Sequence, residues 1–303
     1  MEKQTTIVTP FTLSGPGLHT GKFTHATVNP ASADSGIVLR RTDLSPYVDI
    51  AALADNVVDT NHGTTVAVGS ATVSTIEHLM SALHGMGVDN ALVEVDGPEI
   101  PILDGSARLW VDQIKKSGVE TLDAERRYIE LTEPMVWRDE EHNIELKAVP
   151  ADRFSVVSTI EFKSELIGNQ TAEFDDFAQY ESQIAKCRTF VFLHEVEFLL
   201  ANNLIKGGDI DNALVFVDKP LGDEQKQRLA KLYGRNPDSL QVRGGVLNTI
   251  EPFFPNEPAR HKLLDFMGDI YLAGSPVKAS FTLRCPGHHA NTEFAKIISK
   301  IKK

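Results

Sequence analysis

Cysteine is almost missing from this chain. Cys187 and Cys285 stand far apart in 303 residues, and neither belongs to a CxxC pair. That argues against a disulfide scaffold, a cysteine zinc site and a dithiol redox pair. Long apolar runs are missing too. No stretch approaches 18 continuous apolar residues, so no spanning helix is expected. The opening MEKQTTIVTPF has no long apolar run and no small-residue cleavage site, so no signal peptide is expected and the default location is cytoplasmic. Basic residues are outnumbered: 30 Lys and Arg against 42 Asp and Glu give a net charge of -12. A surface of that sign disfavours nucleic acid or an anionic membrane as a general partner. An anionic small substrate would need a local basic pocket. The glycine-rich segment 14–21 is neither GxGxxG before a helix nor followed by Gly-Lys-Ser/Thr, so a nucleotide phosphate loop is not supported.

What the chain does have is ordinary globular content, 42% hydrophobic and 24% charged, with enough length for two domains and a sizeable core. Its most informative stretch is 260–271, RHKLLDFMGDIY. Leu263, Leu264, Phe266, Met267 and Ile270 recur at helical spacing. His261, Asp265 and Asp269 then fall four apart, on or near one face. An imidazole one turn from a carboxylate can hold a divalent metal, with the next carboxylate supporting from behind. The same stripe can also be a solvated face whose His–Asp pair contributes a few tenths of a kcal/mol.

Read in order, the chain gives strand patterns at 5–13 and 22–29, with His19 in the loop between them, then at 36–41. A hairpin follows at 64–68 and 71–73. Residues 74–85 carry a helical stripe of Ile76, Leu79, Met80 and Leu83. Ser74 and Glu77 match a capping box; Glu77 beside His78 equally matches a general base next to a metal ligand. A strand at 90–95 and a helix at 106–117 complete the first half. The polar run 123–127 marks a boundary. The second half predicts strands at 128–137, 143–149 and 153–162, then a polar, acidic loop with short structure over 163–180. A helix is expected near 193–203, a buried strand at 212–217 and an outer charged helix or loop at 223–236. The helix 258–272, a strand at 277–284, a turn over 285–291 and a short helix from Thr292 end the chain. A hydrolytic zinc site needs three protein ligands and one open position. His261 and Asp265 supply two, and His78 is the best candidate for the third. His25, His62, His84, His142 and His194 lack an acidic neighbour at a helpful spacing and read as surface or packing residues.

Seven ordered segments then carry a family resemblance: GPGLHTGK at 15–22, STIEHLMSALHGMGVDN at 74–90, PEIPILDGSA at 98–107, CRTF at 187–190, GGDIDNALVF at 207–216, RHKLLDFMGDIYL at 260–272 and GHHAN at 287–291. Together they span nearly the whole chain. They resemble the UDP-3-O-acyl-N-acetylglucosamine deacetylases of lipid A synthesis. The resemblance implies Zn2+ held by His78, His261 and Asp265. It implies Glu77 as the base, His288 as the acid that protonates the leaving amine, Thr189 as an oxyanion donor and Asp269 as the carboxylate that orients His288. It places Lys262, Phe162, Phe190 and His19 near substrate, a UDP-sugar with a long acyl chain whose passage is walled by the insert around 212–217. The chain departs from the pattern at Cys285, where many members carry a lysine, so either Arg284 or Lys262 is expected at the phosphate. The acidic stretch 163–182 is also longer than the pattern. A fused C-terminal acyl dehydratase domain, found in some members, is a partner the resemblance leaves room for.

Pattern and resemblance together predict an α+β fold. Two similar domains, 1–125 and 126–303, would each form a layered sandwich of a sheet and a helix pair, with the active site between them. Two other readings stay open: a zinc amidase acting on another N-acyl sugar, and a binding protein with an accidental His–Asp stripe.

Overall fold

In a computed structural model, residues 2–196, 206–247 and 251–301 are described. The fold is α+β, with several sheets and few helices. Two sheets dominate. In the first, Phe11–Pro16 pairs with Phe23–Pro30, which pairs with Ala91–Val95; Ile37–Arg41 and then Val48–Ala51 complete it. Ile37–Arg41 runs parallel to Ala91–Val95 and the other pairs are antiparallel. In the second, Met135–Asp139, Ile144–Pro150, Val277–Arg284, Ser155–Glu161 and Asn169–Phe174 follow the same spatial order, again with a parallel pair in the same place, and the short strand Ile129–Glu130 adds a second parallel pairing to Val277–Arg284. Each sheet is accompanied by two helices that bracket its central strand in sequence: α1 (Glu77–Gly85) and α2 (Arg108–Ser117) in the first, and α4 (Glu257–Tyr271) and α5 (His288–Ser299) in the second. A further helix, α3 (Asp223–Leu232), lies between them in sequence.

Apolar positions explain the layering. Ala26, Val28, Leu39, Ile50, Ala91, Val93 and Val95 point inward at alternate positions of the first sheet. Leu79, Met80 and Leu83 of α1 and Leu263, Leu264, Phe266, Met267 and Ile270 of α4 are fully or almost fully buried in one core with them. Helices apolar on so wide a surface belong to an interior. α1 packs against α4 at very short range, because a Cβ at Gly268 would lie 2.1 Å from the Glu77 carbonyl oxygen. Of three smaller sheets, one is the pair Lys3–Ile7 and Val119–Glu125 and two have more strands. Val57–Asp59, Thr65–Val68 and Ala71–Val73 form one, including the expected hairpin. Phe190–Phe192, Leu214–Phe216, Val246–Leu247 and Val242–Arg243 form the other, over a separate apolar cluster with Ile210, Leu229 and Leu240.

Several expectations need correction. The run 5–13 is two strands, Lys3–Ile7 and Phe11–Pro16, in different sheets, and Lys3–Ile7 pairs with Val119–Glu125. The break falls at Pro10, which has no N–H to donate. The run 128–137 divides in the same way at Pro134, into Ile129–Glu130 and Met135–Asp139. The acidic stretch 163–180 contains a full strand, Asn169–Phe174. Its inward positions are Gln170, Ala172 and Phe174, so two apolar side chains suffice and the outward Thr171 and Glu173 disguise the period. The last helix begins at His288, not Thr292, because Gly287 is extended and serves as its N-cap. Of the helix expected near 193–203, residues 197–203 lie outside the described residues. Among the described residues no helix is long and apolar enough to cross a membrane.

Candidate active site

The stripe on α4 is not solvated. His261 and Asp265 are each 2% exposed and Asp269 is fully buried. They face α1, whose first turn carries Glu77 and His78, both buried. Gly268 is what lets the two helices come this close, since any side chain there would meet the α1 backbone. The capping-box reading of Glu77 fails. Ile76 occupies the N-cap position with no side-chain cap, and the Ser74 hydroxyl donates instead to the Pro98 carbonyl. Glu77 Oε2 accepts from the Thr64 N–H at 2.9 Å. Thr75, at φ 57, turns the chain so that Glu77 enters the site.

Among the described residues, His78, His261 and Asp265 offer one donor atom each within 4.8 Å of one another. Asp265 Oδ1 lies 3.3 Å from His261 Nε2 and 3.7 Å from His78 Nε2. Ligands 2.1 Å from a tetrahedral centre stand about 3.4 Å apart, so this spacing fits a small divalent ion. Asp265 Oδ1 is also a buried oxygen with no hydrogen-bond partner, the kind of atom a cation satisfies. The protonation states agree with that use. Burial holds both imidazoles below their ordinary range, so they are neutral near pH 7. The His261 Nδ1–H donates to the Cys187 carbonyl at 3.1 Å, which leaves the Nε2 lone pair facing Asp265. Burial opposes ionisation of Asp265, but His261, Lys262 and His288 outweigh it and hold the carboxyl well below the usual carboxylate range. The Lys262 ammonium donates to Asp265 Oδ2 at 3.0 Å.

A second cluster lies beside the first. Asp269 Oδ2 accepts from His288 Nδ1 and from the Asn291 amide, each at 2.9 Å, and Asp269 Oδ1 accepts from the Thr64 hydroxyl at 2.6 Å. Burial alone would depress the His288 pKa. Asp269, Asp265 and Glu77 overcome it and push it up to about 9, so the imidazole is a cation near neutral pH. Its Nε2 faces Asp265 Oδ2 at 3.9 Å.

Both clusters open into one cleft with a cavity volume of about 200 Å³. Among its lining residues are Glu77, His78, Thr189, Phe190, His261, Lys262, Asp265, His288 and His19. Asp269 lies behind His288. Phe162 does not line the cleft but packs edge-on against Phe190, with ring centres 5.6 Å apart. Arg284 is not brought to the site: it is exposed and held by Glu161, with Nε 3.0 Å from Oε1. Cys285 beside it takes φ 49 and is partly buried. His62, read from sequence as a surface or packing residue, lines the cleft. His84 is a packing residue, stacked on Tyr271. One wall is apolar, with Val191, Val196, Ile210 and Val215 from the four-stranded sheet and its surroundings. Loop 17–21, which carries His19, is held by Glu99. That buried carboxylate accepts from the backbone N–H groups of His19 and Thr20 and from the hydroxyls of Thr20 and Thr75. Sequence reasoning passed over Glu99 and Thr64. Neither has a periodic signal, although Glu99 lies within the segment 98–107 that carried the resemblance.

A family model described as "LpxC: UDP-3-O-acyl N-acetylglycosamine deacetylase" matches residues 4–232 and 239–300. The chain is 44% identical over 300 residues to a protein of Porphyromonas gingivalis named "Bifunctional enzyme LpxC/FabZ", covering 99% of this chain and 65% of that relative. It is similar to proteins named "UDP-3-O-acyl-N-acetylglucosamine deacetylase" from Phenylobacterium zucineum (41% identity, 98% of this chain and 93% of the relative) and Teredinibacter turnerae (38%, 99% and 91%). The chain thus spans just under two thirds of the length of the bifunctional relative.

Proposed function

This chain belongs to the UDP-3-O-acyl-N-acetylglucosamine deacetylase family, and we propose that it hydrolyses the N-acetyl group of UDP-3-O-(3-hydroxyacyl)-N-acetylglucosamine, releasing acetate and the free amine, in lipid A biosynthesis. The observation that carries the reading is the convergence of His78, His261 and the unpartnered Asp265 Oδ1 at the floor of a cleft that also holds Glu77 and His288. These three residues would hold Zn2+. When bound there, zinc supplies Lewis-acid polarisation and a water of lowered pKa, toward about 7.

The chain's own residues account for the remaining work. Glu77 stands beside His78, where its carboxylate takes the proton of the attacking water, and the Thr64 N–H fixes its direction. Thr189 turns its hydroxyl to the developing oxyanion, a contribution of roughly 3–4 kcal/mol for one good donor. His288, held as a cation by Asp269, gives a proton to the amine as acetate leaves. Acid and base steps of this kind supply about 10²–10⁴-fold each. Lys262 meets the anionic part of the substrate, with Phe190 and His19 beside it and Phe162 supporting Phe190. The apolar wall from Val191 to Val215 takes the acyl chain.

The strand order shared by the two large sheets supports two domains, 1–125 and 126–303, each a sheet with a helix pair and with the site between them. A cytoplasmic location and fusion to a C-terminal acyl dehydratase domain belong to the same proposal; the name of the bifunctional relative supports the fusion. The test is metal content together with acetate release from the UDP-linked substrate, for wild type and His261→Ala. One zinc per chain, lost together with turnover in the variant, supports the reading. Stoichiometric zinc without acetate release would sink the substrate while leaving the metal site.

A further inference from the structure

Glu77 and His288 come from helices far apart in the sequence, yet one residue touches both Glu77 and the carboxylate that holds His288. Thr64 is fully buried, just ahead of the strand Thr65–Val68. Its N–H donates to Glu77 Oε2 at 2.9 Å and its carbonyl accepts from the Ile76 N–H at 3.3 Å, so its backbone grips the first turn of α1. Its hydroxyl reaches the other way, donating to Asp269 Oδ1 at 2.6 Å, and stands 3.3 Å from His288 Nδ1. The remaining oxygen, Asp269 Oδ2, is occupied by His288 and Asn291. Gly63 clears the approach, since a Cβ there would already lie 3.1 Å from Glu77 Oε1.

We propose that Thr64 is a positioning residue for the deacetylation, coupling the placement of Glu77 to that of the Asp269–His288 pair. This rests on the deacetylase reading given above. A hydroxyl has one proton to donate, and here it goes to the carboxylate, the strongest acceptor within reach. That bond holds Asp269 at the angle at which Oδ2 meets the His288 ring. The backbone N–H of the same residue holds the Glu77 carboxylate, so the separation of base and acid is set through one rigid strand end. Without the hydroxyl, a fully buried carboxylate oxygen loses its donor, and Asp269 is free to rotate and carry His288 with it. The Thr64 hydroxyl reaches Asp269 from behind, and Thr64 does not line the cleft. Its loss should therefore lower the rate of the chemical step and leave substrate binding alone.

The experiment compares wild type with Thr64→Val, which keeps the shape and removes the hydroxyl, and with Thr64→Ser, which restores it. Metal content is matched, and kcat and KM are measured separately for acetate release. The expected result is a kcat reduced roughly ten- to a hundredfold in Thr64→Val, as for other residues supporting a catalytic group from behind, with KM within about twofold and most of the rate recovered in Thr64→Ser. The proton resonance of the His288 Nδ1–H, followed without substrate, should shift in Thr64→Val and return in Thr64→Ser. Full kcat in Thr64→Val, a rise confined to KM, or no rescue by serine would overturn the proposal. If Thr64→Val does not fold, Thr64→Ala against Thr64→Ser makes the same comparison in a roomier site. Wild type that releases no acetate would sink the deacetylase reading. The His288 resonance then still decides whether Thr64 positions the pair: a shift restored by serine supports it, and no shift overturns it.

Discussion

Gly268→Ala is the substitution that most directly tests how the site is assembled. The added methyl would lie 2.1 Å from the Glu77 carbonyl oxygen, 3.0 Å from its carbon and 3.1 Å from the Ser81 nitrogen. All three are backbone atoms, so no side-chain rotation relieves the clash. Carbon contacts settle near 3.5 Å, so α1 and α4 must separate by roughly 1 Å. Overpacking of this kind costs about 1–3 kcal/mol. Replacing a mid-helix glycine by alanine returns about 1 kcal/mol, leaving a net loss of roughly 0–2 kcal/mol. Function is far more sensitive. The parting runs through the candidate metal site itself, because His78 rides on α1 while His261 and Asp265 ride on α4. Three donors now within 4.8 Å of one another would no longer close on one ion. A displacement of about 1 Å can cost on the order of 10²-fold in rate. The assays are metal content after dialysis against a weak chelator, acetate release at saturating metal, and urea unfolding. The comparison variant is Gly222→Ala, where the built Cβ meets only Gln225 Oε1 at 3.9 Å; it should change stability by under about 1 kcal/mol and activity not at all. Gly268→Ala with wild-type metal retention and wild-type kcat would refute the claim that this helix contact sets the site.

Three further outcomes are expected. Since the acid must carry its proton and His288 is pushed up to about 9, kcat/KM should fall on the alkaline side at pH about 9 or below; a rate still level at pH 10 would remove His288 from the role. Arg284→Ala should leave KM within about twofold because Glu161 holds the guanidinium away from the cleft, whereas Lys262→Ala should raise KM at least about tenfold; the reverse pattern would return the phosphate to Arg284. Burial pushes His84 down to about 4 against the pull of the Met267 carbonyl, so the unfolded chain binds its proton more readily. That stability is complete above about pH 6.5 and is lost as pH falls through about 4, amounting to about 3 kcal/mol in full. Urea unfolding at pH 7.5 and 4.5 should therefore show an acid loss about 2–3 kcal/mol smaller in His84→Gln than in wild type, and equal losses would place the titration elsewhere.

What was legible in the sequence follows from how local each signal is. α4 and its three polar positions could be read because the 3.6-residue period and the i,i+4 spacing are properties of a single helix. The strand of 277–284 and the hairpin around Gly69 and Ser70 were equally local. The failures share a cause. Ser74 and Glu77 have the spacing of a capping box, yet Glu77 is taken by Thr64, thirteen residues back, and Ser74 by Pro98, twenty-four residues on. Local propensity lost to tertiary partners that no window includes. Asn169–Phe174 was hidden because its neighbour on one side supplies the sheet and only two of its six side chains are buried, so composition outweighed period. The Thr64–Asp269 contact spans 205 positions, and nothing in the character of a lone threonine announces it. The candidate metal site lies between these extremes. Two of its three donors are local to α4, while the third comes from α1, and that juncture depends on Gly268, a residue that in sequence looks only like a weak point in a helix. Its missing side chain is the signal, and it becomes readable only when the helix it must admit is known.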